Sequence, residues 1–269
     1  TSPAAVSGLS SDGQTTGSID LSWDVLVASG GSATTGYIVY RSEGAGGTDH
    51  PIVAYDGTGS TATAATVSGL EGGRLYSFVV SGVSAAGEGD VSAVPFTQST
   101  SPGAPSGLGS EAQTTGSITL QWTAPAELGG DTVSEYVLYM DDGGGESAAV
   151  STEAYRGELS SSVLVEGLVG GRSYKFAVSA VSASGEGDRS EVMAQSTAPA
   201  ALGAAPVSVS QTASSIELSW TAPSVSTGLG ATGYRVFDAV TSAVVYDGAG
   251  LLATEAVVSG LESGRLYSY

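Results

Sequence analysis

Apolar and polar residues alternate along most of this chain. Ile19, Leu21 and Trp23 are separated by Asp20 and Ser22, and Tyr76, Phe78 and Val80 follow the same rule, as do Tyr37 and Val39. A period of two puts successive side chains on opposite faces of a strand, so each run predicts a strand with one buried face. Clusters of Gly, Ser and Asp separate the runs, where turns belong. No long 3.6-residue period competes with them. About seven such short strands per roughly 100 residues predict an all-β, two-sheet sandwich.

The pattern recurs. "SIDLSW", "SITLQW" and "SIELSW" end at Trp23, Trp122 and Trp220, spaced 99 and 98 residues apart. Tyr37, Tyr136 and Tyr234 each follow fourteen residues later, and Leu70, Leu168 and Leu261 each precede Tyr76, Tyr174 and Tyr267 by six. That period is the size of a small domain, not of a solenoid repeat. It divides the chain into units at 1–99, 100–197 and 198–269. The junctions "STSPGAPSGL" and "STAPAALGAAPVSV" are short and contain Pro. Such linkers are semi-rigid, which predicts an extended rod.

The last ten residues, "GLESGRLYSY", match "GLEGGRLYSF" at 69–78 and "GLVGGRSYKF" at 167–176, which continue into a further apolar run. The third unit is therefore expected to lack the rest of its sixth strand (F) and its seventh (G). The chain is expected to be a segment of a longer repeat array. Completion of the third sandwich by a strand from another chain is the other reading.

The order of these residues resembles the fibronectin type III domain. In the second unit the resemblance rests on Pro105, Leu108, Leu120, Trp122, Pro125, Tyr136, Leu138, Leu168, Tyr174, Phe176, Val178 and Gly185–Gly187. It implies tandem immunoglobulin-like sandwiches, with the three tryptophans on the second strand filling the cores. It implies that Tyr76, Tyr174 and Tyr267 form tyrosine corners, each hydroxyl bonding back to upstream backbone. The Arg-Gly-Asp tripeptide of some relatives does not occur here; the turn sequence is "GEGD", at 87–90 and 185–188.

Composition narrows the function. There are 27 acidic and 8 basic residues, a formal charge of −19. That surface repels nucleic acid and anionic membranes, because binding to either needs clustered Lys and Arg. No run of 18 apolar residues offers a membrane span. Cys is absent and His50 is the single histidine, which removes thiolate chemistry and multi-histidine metal sites. No cofactor motif is present; the Gly-rich stretches at 44–47 and 143–145 lack the Lys-Ser/Thr pair of a phosphate loop. Asn is absent too, so N-linked glycans have no acceptor.

Five features carry candidate chemistry. His50 beside Asp49 has acid–base potential but reads as an exposed loop histidine. Asp141, Asp142 and Glu146 offer carboxylates for weak Ca2+ binding, without the spacing of an EF-hand, and read as a solvated acidic turn. The repeated "GEGD" reads as turn chemistry with surface charge. Ser99, Thr100 and Ser101, in a Ser/Thr/Pro junction, are candidate O-glycan acceptors. Arg74, Arg172 and Arg265 sit two residues before each corner tyrosine. Glu71 and Glu262 precede the first and third by three residues, but Val169 holds that place in the second, so a local ion pair does not account for all three. They are candidate contacts to neighbouring repeats or to other copies in an assembly.

The expectation is a non-enzymatic extracellular or cell-surface structural or adhesion protein, a repeat segment of a filament or glycocalyx. The alternatives are spacer domains of a large secreted carbohydrate-active enzyme, or a receptor ectodomain.

Overall fold

A computed structural model describes residues 1–27, 31–42, 49–126, 130–144, 149–157, 159–224 and 230–269. The described regular structure is all strand. No helix among these residues is long and apolar enough to cross a membrane.

The first unit runs β1 (Ser10–Gln14), β2 (Ser18–Ser22), β3 (Thr34–Arg41), β4 (Ile52–Asp56), β5 (Ala64–Ser68), β6 (Leu75–Ser84), β7 (Gly87–Val91) and β8 (Phe96–Ser99). The second runs β9 (Ser106–Gln113), β10 (Ser117–Thr123), β11 (Glu135–Met140), β12 (Thr152–Gly157), β13 (Ser162–Glu166), β14 (Ser173–Ser182), β15 (Gly185–Glu186) and β16 (Met193–Ser196). The third contributes β17 (Val207–Gln211), β18 (Ser215–Ser219), β19 (Gly233–Phe237), β20 (Val244–Ala249) and β21 (Glu255–Ser259).

All pairing is antiparallel and local to a unit. One sheet has the order β1–β2–β5, repeated as β9–β10–β13 and β17–β18–β21. The facing sheet of the first unit is β4–β3–β6, with β7 and β8 on successive stretches of β6; β12–β11–β14 with β15 and β16 repeats it. In the third unit this sheet is the pair β19–β20.

The predicted inward faces form the cores. Ile19, Leu21, Trp23, Tyr37, Val39, Tyr76, Phe78 and Val80 are buried together, as are Ile118, Leu120, Trp122, Tyr136, Leu138, Tyr174, Phe176 and Val178. The third core is smaller, centred on Leu218, Trp220, Val236, Ala256 and Val258. Each tryptophan meets the tyrosine of the facing strand at a steep ring angle, with centroids 5.4–5.6 Å apart, a geometry aromatic quadrupoles favour. All three corners form: Glu71 N, Val169 N and Glu262 N donate to the hydroxyls of Tyr76, Tyr174 and Tyr267 at 2.8–2.9 Å. A buried ring thus keeps its polar tip satisfied.

Strict alternation fails on β6 and β14. Their outward-facing Ser77, Val79, Ser81, Ala177 and Ser179 are buried as well. Over Ser81 and Ser179 the cover comes from the glutamates of the "GEGD" turns. Tyr40 Oη donates to Glu88 Oε1 at 2.8 Å and Ser81 Oγ donates to the same oxygen. Tyr139 Oη and Ser179 Oγ donate to Glu186 Oε1 at 2.7 and 2.6 Å. The Arg189 guanidinium lies 3.4 Å from the Tyr139 ring centre.

Candidate functional site

The two linkers are where the units bear on one another, and both are built in the same way. Each corner turn carries a glycine in the left-handed region, Gly73 (φ 71°) and Gly171 (φ 69°), a conformation that β-carbons disfavour. It aims backbone N–H groups at the linker. Gly73 N donates to Ser101 O at 2.8 Å and Gly171 N to Ala198 O at 2.8 Å. Arg74 N donates to Thr100 Oγ1 and Arg172 N to Thr197 Oγ1, both at 3.1 Å. Those hydroxyls in turn donate to Glu71 O and Val169 O, both at 2.7 Å. Thr100 N and Thr197 N return bonds to Arg74 O and Arg172 O at 3.0 Å. Ser101 N and Ala198 N donate to Thr15 O and Thr114 O at 3.1 and 2.9 Å. Five bonds thus fix each linker to the unit before it. Thr100 and Ser101 are 1% and 2% exposed, so these bonds are sheltered from competing water.

The first linker is also seated on the unit after it. A β-carbon on Gly187 would fall 2.0 Å from Pro102 O, so only glycine lets the β14–β15 hairpin close over the proline. Ser101 Oγ and Gln14 Nε2 both donate to Ser184 O, at 2.8 and 3.1 Å, the second bond running from the first unit to the second. Ser184 Oγ donates to Asp131. Gly130 N donates to Gly73 O at 3.0 Å, a direct backbone bond between units. The second linker's counterpart of this contact lies at 225–229, outside the described residues.

The proposed glycan acceptors therefore stand elsewhere than composition implied. Ser99, Thr100 and Ser101 are all buried, and the hydroxyls of Thr100 and Ser101 are committed to Glu71 and Ser184. A sugar there does not fit without opening the joint. Arg74 and Arg172 flank the two joints through their backbones, whereas Arg265 N turns back to Glu262 O at 3.4 Å; the side chains find local partners. Arg74 pairs with Glu71, and Arg265 pairs with Glu262 at 3.2 Å. Arg172 lies over the turn at Gly143 and reaches Asp142 O at 3.5 Å.

His50 is half-buried, with Nε2 2.9 Å from Ser77 Oγ, so it is tied down rather than free in a loop. Of the acidic turn, Asp141 is buried and its Oδ1 accepts from Gly143 N and Lys175 N at 3.1 and 3.0 Å. Glu146 lies outside the described residues, as do 43–48 and the rest of 145–148 in the two long loops. Among the described residues no three acidic or histidine groups converge as a metal site would require. Sequence reasoning passed over Glu88 and Glu186. For Glu186, burial opposes the charged form, but bonds from Ser179 and Tyr139 and the nearby Arg156 and Arg189 outweigh it and lower the pKa. Tyr139 is raised, first by burial and then by Glu186.

The fibronectin type III domain model matches residues 4–98 and 103–196. Among curated proteins, chitinase A1 of Niallia circulans is 32% identical over 194 residues, covering 69% of this chain and 24% of that protein. Human receptor-type tyrosine-protein phosphatase H is 33% identical over 226 residues, covering 83% of this chain and 18% of that protein. The chain thus spans a quarter or less of the length of these relatives. Among solved structures, a two-domain fibronectin type III segment of chicken tenascin aligns with a TM-score of 0.37 and 18% identity, over 71% of this chain and 99% of that one. The FN1–FN3 domains of chicken CNTN1 align with a TM-score of 0.34 and 17% identity, over 97% and 90%.

Proposed function

Because the chain belongs to the fibronectin type III family, a fold that carries many roles, we propose that it acts as a run of stiff, acidic, non-catalytic spacers in an extracellular or cell-surface structural or adhesion protein. One observation carries this reading: the same five hydrogen bonds hold both linkers. A linker whose donors and acceptors are satisfied by the preceding unit has little freedom left to swivel. The units then transmit direction along the chain as an extended rod. The net charge of −19 suits a spacer, because like-charged rods resist casual association. Arg74, Arg172 and Arg265 remain the proposed contacts to other copies in an assembly.

Stiffness is measurable. The chain has no cysteine, so single labels can be introduced at will. Spin labels on Asp12→Cys and Glu255→Cys report the distance between the first and third units by double electron–electron resonance. A single narrow distribution is expected. A broad distribution, as from freely jointed beads, removes the spacer reading.

A second reading rests on the match to chitinase A1: the same spacers inside a secreted carbohydrate-active enzyme. Retention of the 269-residue chain on insoluble chitin would favour it; elution with the unbound fraction favours the first.

A further inference from the structure

The outer sheet faces of the first two units share a plan and differ in their charges. Tyr40, Ser81 and Glu88 of the first unit stand where Tyr139, Ser179 and Glu186 stand in the second, and in both the two hydroxyls donate to one glutamate oxygen. In the second unit cations complete the group. The Arg189 guanidinium lies over the Tyr139 ring, 3.4 Å from its centre, with Nη1 donating to Val150 O at 2.8 Å. Arg156 pairs with Glu135 at 2.7 Å and with Glu153 at 3.1 Å. The charges of Arg156 and Arg189 both favour ionised Glu186. Under this cover Tyr139 is 7% exposed.

In the first unit both arginines are replaced. "GEGDRS" at 185–190 becomes "GEGDVS" at 87–92, so Val91 stands for Arg189; "AYRG" at 154–157 becomes "AYDG" at 54–57, so Asp56 stands for Arg156. Strand register keeps these residues in one row: Asp56 lies opposite Ile38, Ile38 opposite Ser81, and Ser81 opposite Val91. Tyr40 is half-buried and Val91 is 44% exposed. The Tyr40 hydroxyl is pushed up by burial first, then by Glu88, and Asp56 adds to it. At Tyr139 the Arg189 charge acts the other way. The two basic residues of the first unit are engaged elsewhere, Arg41 beside the Tyr76 ring and Arg74 with Glu71. Among the described residues no cation pairs with Glu88 or lies over Tyr40.

We propose that Tyr40, Glu88 and Asp56 form a receptor for an arginine side chain of a protein partner. The second unit displays the bound arrangement within one chain: a guanidinium over the tyrosine ring, near the glutamate that holds the tyrosine hydroxyl. The first unit presents the same ring and the same carboxylate, adds a second negative charge at Asp56, and has only valine where the covering arginine would be. Arginine suits the site better than lysine, because a planar guanidinium stacks on the ring while its N–H groups point sideways to carboxylates. Glu88 and Tyr40 are already fixed by their mutual bond and by Ser81, so little ordering cost opposes the contact. The net charge of −19 draws a basic segment toward the chain. The proposal concerns one face of the first unit and does not depend on the spacer reading.

Titration of the 269-residue chain with the peptide acetyl-Gly-Arg-Gly-amide, followed by amide resonances, tests it. The lysine and citrulline counterparts of the peptide are the comparisons. Shifts are expected at Tyr40, Glu88 and Val91 and not at Tyr139 and Glu186, with a Kd of about 1–10 mM for this single side chain. The lysine peptide is expected to bind more weakly. The citrulline peptide, which keeps the shape and loses the charge, is expected not to bind, and added salt is expected to weaken the arginine peptide. Val91→Arg supplies the missing side chain from within the unit. It is expected to abolish the peptide's shifts at Tyr40 and to move the new side chain's own protons upfield in the ring current of Tyr40. Val91 is exposed and the second unit carries arginine at this place, so failure to fold does not confound the variant. No shifts at tens of millimolar peptide, shifts equal in both units or spread along the acidic surface, equal binding of the citrulline peptide, or undiminished binding by Val91→Arg overturns the proposal.

Discussion

Thr100 shows how much one side chain decides at a joint. Its hydroxyl both accepts from Arg74 N and donates to Glu71 O, in a site 1% exposed. Thr100→Val removes both bonds from these part-buried backbone groups, at a cost of about 1–2 kcal/mol. Urea denaturation is expected to show that loss, with Thr100→Ser close to the parent. In the sequence this residue stands out, but for another task. Ser, Thr and Pro together read as a sugar-bearing stretch, because composition carries no information about burial. The recurrence of Thr at 1, 100 and 197, with Ser giving way to Ala at 198, was the available signal. It fits a hydroxyl required at the first place; at the second the backbone bonds recur in both linkers, and Ser101 adds a hydroxyl bond to Ser184 O. Glu88 and Glu186 escaped for a related reason: a carboxylate in a Gly-rich turn reads as surface charge, and its partners, Tyr40 with Ser81 and Tyr139 with Ser179, are set by strand pairing.

At the scale of the element, alternation was enough for most strands. Trp122, Tyr136 and Phe176 are buried where period two places them. It was not enough for β6 and β14, whose outer faces are small residues lidded by a tyrosine and a glutamate. The "GEGD" hairpin is the element with two duties. Its first glycine turns the chain, with φ 106° at Gly87 and 94° at Gly185. Its second admits the linker proline. Gly187→Ala puts a methyl group 2.0 Å from Pro102 O, and backbone on both sides must move. A cost of about 1–3 kcal/mol is expected from such overpacking. Gly203→Ala, with nothing within 4 Å, is the control and is expected to be close to neutral. Equal melting temperatures for the two variants would remove the close-approach account of Gly187.

For the whole molecule, the period of about 98 residues made the three units readable from sequence, because whole sandwiches repeat with their core residues in register. How the units are joined was less readable. Proline in a linker suggests stiffness, but the bonds that supply it run from backbone groups in a turn some 26 residues upstream, between Arg74 and Thr100. Backbone groups leave no mark on composition. The central claim is that these bonds make neighbouring units move as one body. Residual dipolar couplings of the first two units test it most directly, measured in the parent chain and in Thr100→Val. The account predicts one alignment tensor for both units in the parent, and two tensors of different magnitude once the hydroxyl is lost. Separate tensors already in the parent, or one tensor unchanged in Thr100→Val, would contradict it.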